Sequence, residues 1–239
     1  MRDYVITTDN NSDLPESYYT EHGVGCTYLS YTMDGQHYSH ENFLPVKEFY
    51  DRMRKGSMPT TAQVNPEDAR ALIEPYLKAE KDVLHIAFSS GLSGSYNSAR
   101  IAGEELQEEY PDRKIVVIDS LAASLGQGLL VYLAQKKKEE GKTMDEVAQW
   151  VMEHRLNMVH TFTVDDLNHL YRGGRVSKTT AVVGGVLNIK PVLHVDDEGK
   201  LIPVGKVRGR KKSLLALVDM MEEKLGNYKN SCDTIFISH

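Results

Sequence analysis

Cysteine is scarce. Cys26 and Cys232 are the only two in 239 residues, with no CxxC pair and no neighbouring Cys/His set. Neither a disulfide framework nor a zinc site is expected, and both residues read as reduced thiols. Long apolar runs are missing too. The first nine residues (MRDYVITTD) hold no stretch of signal-peptide length, and the run at 129–134 (LLVYLA) is too short to cross a bilayer, so a cytoplasmic location is expected. Positive charge is in deficit: 28 Lys+Arg against 34 Asp+Glu leave a net charge of −6, the wrong sign for a protein whose main partner is nucleic acid. Internal repeats, linkers and low-complexity tracts are absent from the sequence. With 41% hydrophobic and 26% charged residues, disorder, collagen and coiled coil are excluded.

What remains is enough chain for one large domain or two small ones. A β-prone run at 4–8 stops at Asp9. Asp13-Leu14-Pro15-Glu16 then reads as an N-cap, an early proline and a capping-box glutamate opening a helix that ends by Gly23. Further helices are expected over 45–55, from Asn65, over 96–109, over 126–138 and from Thr143. Strands are expected at 82–88 and 114–118, and a loop at 57–64. Continuous β-branched runs separated by helices predict a parallel sheet covered on both faces. Ligands sit at the carboxyl ends of such strands, and here residues 7–12, 89–95 and 119–124 are rich in hydroxyls. After about 157 the pattern changes: a strand at 159–164, a short helix at 165–171, an apolar helix at 179–188, a hairpin of 190–195 with 200–207, a helix at 213–225 and a last strand at 233–238. The expected architecture is an α/β parallel-sheet domain over 1–157 and a smaller α+β domain over 158–239.

Gly91-Leu92-Ser93-Gly94-Ser95 lies between a strand and a helix, where a nucleophile elbow (G-x-S-x-G) would set a serine in a sharp turn. Position 95 is Ser rather than Gly. Anion binding by amides and hydroxyls at the start of the helix is the better reading, with a plain capped turn beside it. Thr60-Thr61-Ala62-Gln63 alone would pass as a connector. Residues 9–13 imitate the start of a calcium loop, but Leu14 and Thr20 replace the glycine and glutamate it needs. His37 and His40 lack a third ligand, so no metal is expected. Arg172-Gly173-Gly174-Arg175 puts two guanidinium groups near one turn, which suits a phosphate or carboxylate as well as a solvated turn. The basic stretch Lys206, Arg208, Arg210, Lys211 and Lys212 suggests an acidic partner surface or plain solubility.

Taken in order, several motifs resemble the DegV family, the fatty-acid-binding subunits (FakB) of bacterial fatty acid kinase. They are Ile6-Thr7-Thr8-Asp9 with Ser12-Asp13-Leu14-Pro15, Thr60-Thr61-Ala62-Gln63, Ser89 through Tyr96 (SSGLSGSY), Ile118-Asp119-Ser120 with Gly126-Gln127-Gly128, Leu170 through Arg175 (LYRGGR) and Leu187 through Pro191 (LNIKP). The resemblance covers nearly the whole chain. It implies a two-domain α/β protein that encloses one long-chain fatty acid in a buried tunnel. The carboxylate is presented to a separate ATP-dependent kinase subunit that makes the acyl phosphate. This chain would then be a non-catalytic carrier with no cofactor, and transient contact with a membrane surface would suit its cargo. Carboxylate-holding positions map onto Thr61, Ser93 and His239, and positions for kinase docking or phosphoryl-transfer support map onto Arg172, Arg175 and Arg208. Two departures stand out: Ala62 replaces a serine usual in the family, and the family continues past the histidine with Gly-Asp, so the chain reads as truncated at its C-terminus.

Burying a sixteen-carbon chain at roughly 0.8 kcal/mol per CH2 supplies on the order of 10 kcal/mol before ordering costs. A buried carboxylate needs about four acceptor sites filled, which hydroxyl and imidazole donors could do. The rival from another class is a serine hydrolase of acyl esters using Ser93, and a third reading is a lipid sensor without a kinase.

Overall fold

The computed structural model describes residues 2–178, 188–232 and 234–238. Its centre is a parallel sheet in the order β2-β1-β6-β7, with β1 at Tyr4–Asp9, β2 at Gly25–Thr27, β6 at Asp82–Ala87 and β7 at Ile115–Asp119. All six residues of β1 and of β6 are buried, which explains their near-continuous apolar character. The period of two still sorts them by face. Tyr4, Ile6, Leu84 and Ile86 join one core with Leu130, Val131, Val147 and Val151 from α5 (Leu125–Glu139) and α6 (Met144–His154). Val5 and Val83 join the other, with Ile73 and Leu77 of α3 (Pro66–Lys78) and Leu106 of α4 (Ser95–Glu109). The expected parallel sheet with helices on both faces is therefore present.

Caps fix several helix starts. Asn65 and Asp68 close one capping box and Thr143 and Glu146 another, as the sequence indicates. The first helix departs from expectation. Asp13 does not cap α1 (Glu16–His22); it sits in the left-handed region at φ 52° after a 3-10 turn at Asn10–Ser12, and Pro15 takes the cap position without a side-chain bond. The reason is local: Pro15 disfavours a helical Leu14, so the turn that ends at Asp13 cannot run on into α1.

A second departure concerns 57–64, expected as a loop. Thr60–Ala62 is strand β5, pairing antiparallel with β3 (Ser30–Met33), which also pairs with β4 (Gln36–Tyr38). Rings hold this small sheet together: Tyr31 stacks on Tyr38 and Phe43 and meets Phe49 of α2 (Val46–Arg54) edge-on at 5.0 Å.

After α6 come β8 (Thr161–Thr163), α7 (Asn168–Arg172), the hairpin β9 (Ile189–Val195) and β10 (Leu201–Arg208), and α8 (Arg210–Leu225), close to the expected bounds. The three strands form an antiparallel sheet in the order β10-β9-β8. The apolar helix expected at 179–188 lies, apart from Asn188, outside the described residues, as does Asp233 of the expected last strand. Residues 234–238 are not paired as a strand. Phe236 packs toward the α5 core, 5.4 Å from the Tyr132 ring, while Ile235 and Ile237 face outward with no ladder partner among the described residues.

Candidate functional site

The sheet order fixes where a ligand can enter. From β1 the chain crosses to β2 on one side, and from β6 it crosses to β7 on the other. The crevice outside the carboxyl ends of β1 and β6 is thus a topological switch point.

Asp9 closes β1 at this crevice and is almost fully buried. One carboxylate oxygen accepts from Phe88 N at 2.7 Å. The other accepts from Asn11 N and Asn11 Nδ2, both at 3.1 Å, and from Gln127 Nε2 at 3.3 Å. Burial pushes the carboxyl above its ordinary acidity range, and the four donors act against that push. One side chain therefore ties together the ends of β1 and β6 and the first turn of α5. The β7 end is laced in the same way: Asp119 Oδ1 accepts from Ser90 N and Leu121 N, and Ser89 N donates to the Ala122 carbonyl, all at 3.1 Å.

On this platform lies the loop 88–94. Ser93 Oγ meets Ser95 Oγ at 2.9 Å and accepts from Ser95 N at 3.2 Å. Ser95 Oγ accepts in turn from Val64 N at 3.2 Å, and Gln63 Nε2 donates to Ser98 Oγ at 3.2 Å. These bonds dock the segment after β5 onto the Ser93 loop. Gly94 lacks a Cβ where the Gln63 side chain rests. Thr61 is exposed and stands opposite Tyr31 in the β3–β5 register, two residues before the Gln63 that bonds Ser98. Partly filled hydroxyls and amides at strand ends are the donors a carboxylate head group needs.

The sequence comparisons bear directly on this geometry. The family model described as "Uncharacterised protein, DegV family" matches residues 3–239. The chain belongs to the DegV family. A DegV domain-containing protein of Clostridium perfringens is 45% identical over 241 residues, a match spanning 100% of this chain and 82% of the relative. Among solved structures, a fatty-acid-binding DegV family protein from Thermus thermophilus superposes with a TM-score of 0.83 at 33% identity, covering 95% of this chain and 79% of that one. A stearic-acid-binding protein from Eubacterium ventriosum superposes at 0.85 with 27% identity, covering 95% and 78%.

Within this DegV chain, Arg175 lies closer to the Ser93 loop than its pairing with Arg172 suggests. Its Nε donates to the Leu92 carbonyl at 3.0 Å, and it also bonds the Gly173 carbonyl. Arg172 instead bonds His169 Nδ1 at 3.0 Å on the surface, and Arg208 ends β10 opposite Ile189, also exposed. The two arginines of the GlyGly turn are thus separated in role by their partners. His239 lies outside the described residues.

The fold brings here three residues to which sequence reasoning gave no role of their own, Gln127 and Ser89 having been named only within motifs. Gln127 links Asp9 to Thr8 Oγ1 at 3.0 Å. Ser89 Oγ donates to the Gly199 carbonyl at 2.8 Å, so the β9–β10 turn sits on the platform. His160 accepts from Ala123 N at 3.3 Å, and burial drives its pKa down to about 4, so the ring is neutral and Nε2 is the acceptor. Strand-end position and a Gly-x-Gly spacing flagged Asp9 and Gln127 as motif residues. Nothing local marked His160.

Proposed function

We propose that this chain carries a long-chain fatty acid in a buried tunnel and presents its carboxylate to a separate ATP-dependent kinase subunit for acyl-phosphate formation. What supports the cargo is the family membership, together with the solved relatives described as fatty-acid-binding and, on this chain, the hydroxyl cluster of Ser93, Ser95 and the β5 segment at the switch point. Thr61 and Ser93 hold the head group in this reading, joined by His239. The tunnel runs between a lobe of residues 1–157 and a lobe of 158–239, and the transfer takes place in the cytoplasm. The kinase, not this chain, forms the phosphate bond, and no resident cofactor is needed.

A Ser93 hydrolase is the weaker reading. The elbow requires a positive φ, which Ser93 does not have, and its Oγ is bonded to another hydroxyl rather than to a base. Mass spectrometry of an organic extract tests the cargo: about one long-chain fatty acid per chain is expected, and its absence from both purified and lipid-reloaded protein overturns the reading. Acyl-phosphate formation with an added kinase subunit and ATP tests the partner.

Ser93→Ala and Thr61→Val are each expected to weaken fatty-acid binding by about 1 to 3 kcal/mol, because each leaves part of a buried carboxylate unpaired. Displacement of a fluorescent lipid checks this, and wild-type affinity in both variants would move the head group elsewhere. Arg172→Ala should spare lipid affinity and slow acyl-phosphate formation, since among the described residues its guanidinium is seen bonded to His169 on the surface. Arg175→Ala should lower both, because its guanidinium also holds the Leu92 carbonyl. Equal lipid affinities for the two variants would remove that distinction.

A further inference from the structure

The elbow conformation sought at Ser93 occurs at Ser124. Between the end of β7 at Asp119 and the start of α5 at Leu125, Ser124 adopts φ 52° and ψ −144°, a combination that glycine tolerates and other residues hold only under constraint. A serine on a sharp strand-to-helix turn, with Oγ thrust outward, is the geometry of a nucleophile elbow. Ser124 Oγ donates to Asp13 Oδ2, and the same hydroxyl lies 3.3 Å from Ser238 Oγ. Asp13 is itself held at φ 52°, and partial burial raises its carboxyl's affinity for a proton. The amide of Leu125, the residue after the serine, has no acceptor among the described residues.

A groove of about 450 Å³ runs beside this pair, reaching Asp13 and the residue after Ser124. Asp13 and Leu125 line one part of it, and Leu14, Tyr18, Tyr132 and Phe236 continue it as an apolar wall. Its polar end carries a carboxylate, so it disfavours a free fatty-acid anion and accepts a neutral head. A ligand suited to this groove would thus differ chemically from the cargo proposed for the Ser93 cluster.

We infer that Ser124 and Asp13 form a nucleophile–base pair that hydrolyses neutral acyl esters whose chain lies in this groove. Ser124 Oγ attacks the ester carbonyl carbon, an O–C bond forms, and the hydroxyl proton passes to Asp13. The Leu125 amide stabilises the oxyanion. Collapse breaks the bond to the alcohol oxygen, which leaves with the proton from Asp13. Water then attacks the acyl-serine carbonyl, giving a proton to Asp13; the Oγ–acyl bond breaks, Ser124 Oγ takes that proton back from Asp13, and the fatty acid is released. The substrate ester and water are the only reactants.

The test uses the whole chain with p-nitrophenyl octanoate as substrate and a fluorophosphonate as covalent probe, with the labelled peptide mapped by mass spectrometry. Labelling at Ser124 is expected. Ser124→Gly removes Oγ yet suits the positive φ, so the fold should persist by circular dichroism while kcat/KM drops about 100-fold or more. Asp13→Asn keeps the shape and should likewise slow turnover about 100-fold. A label on another residue, no label on the wild-type chain, or a Ser124→Gly variant as active as the wild type would overturn the assignment. An Asp13→Asn variant with the wild-type rate would remove Asp13 as the base.

Discussion

Replacing Asp9 with alanine is expected to lower the unfolding free energy by about 3 kcal/mol or more. The Phe88 amide and the Asn11 backbone and side-chain N–H groups lose their acceptor, while Gln127 Nε2 keeps its bonds to Thr8 Oγ1 and the Ile86 carbonyl, and each buried donor left unsatisfied costs roughly 1 to 3 kcal/mol. For a chain of this size, 3 kcal/mol corresponds to a fall in Tm of roughly 6 to 12 °C. Asp9→Asn gives a milder loss, since its amide oxygen can still accept while its NH2 faces donors. Thermal unfolding of both variants checks the order. If Asp9→Ala melts within 2 °C of the wild type, the carboxylate does not organise the switch point. The effect on cargo should follow stability, because Asp9 lies beneath the Ser93 loop and donates nothing to a head group.

Gly91→Ala is expected to act from the other side of the same platform. A Cβ at this position would stand 2.7 Å from the Glu198 carbonyl oxygen and 2.8 Å from that of Gly199, both backbone atoms that cannot rotate away. The β9–β10 turn must lift, and the Ser89 bond to Gly199 must lengthen with it. Overpacking of this kind typically costs about 1 to 3 kcal/mol. Because the turn belongs to the antiparallel sheet and Ser89 to the parallel one, fatty-acid affinity should fall more steeply than stability does. Titration calorimetry beside thermal unfolding separates the two. A variant that binds lipid like the wild type would mean that the contact between the turn and the loop is not needed for cargo.

The sequence carried the buried strands and the capped helices well, because both depend on local chemistry: β-branched runs for β1, β6 and β7, and Asn65–Asp68 and Thr143–Glu146 for helix starts. It missed β2, β3, β4 and β5, none longer than four residues: β2 joins the edge of the parallel sheet, β5 reaches β3 across the intervening α2, and the β3–β4 hairpin turns on Asp34-Gly35, a local signal that was legible, while the Tyr31, Tyr38, Phe43 and Phe49 rings rather than alternation hold the small sheet together. At the candidate site, the hydroxyl-rich segments named from the sequence are ones that the fold gathers at the ends of β1, β6 and β7. Which serine took the strained turn was not legible, since G-x-S-x-G matches residues 91–95 nearly as text, whereas the φ of Ser124 depends on how β7 meets α5. Arg175 was read as half of a pair because spacing shows proximity in sequence and not the carbonyl each guanidinium finally reaches.

The position of β1 in its sheet has a consequence for how the chain is made. It leaves the ribosome before the other strands of its sheet, yet it occupies an interior place, with Thr7 paired to Gly25 on one side and bonded to His85, 78 residues away, on the other. At about 5 to 20 residues per second, those 78 residues take roughly 4 to 16 s to synthesise. Throughout that interval one edge of a strand that ends up fully buried has no partner, and the Asp9 carboxylate has no Phe88 amide to accept from. The switch-point crevice therefore comes into being only when β6 closes the sheet, and any delay in translation between β2 and β6 lengthens the time for which that edge can pair with another nascent chain.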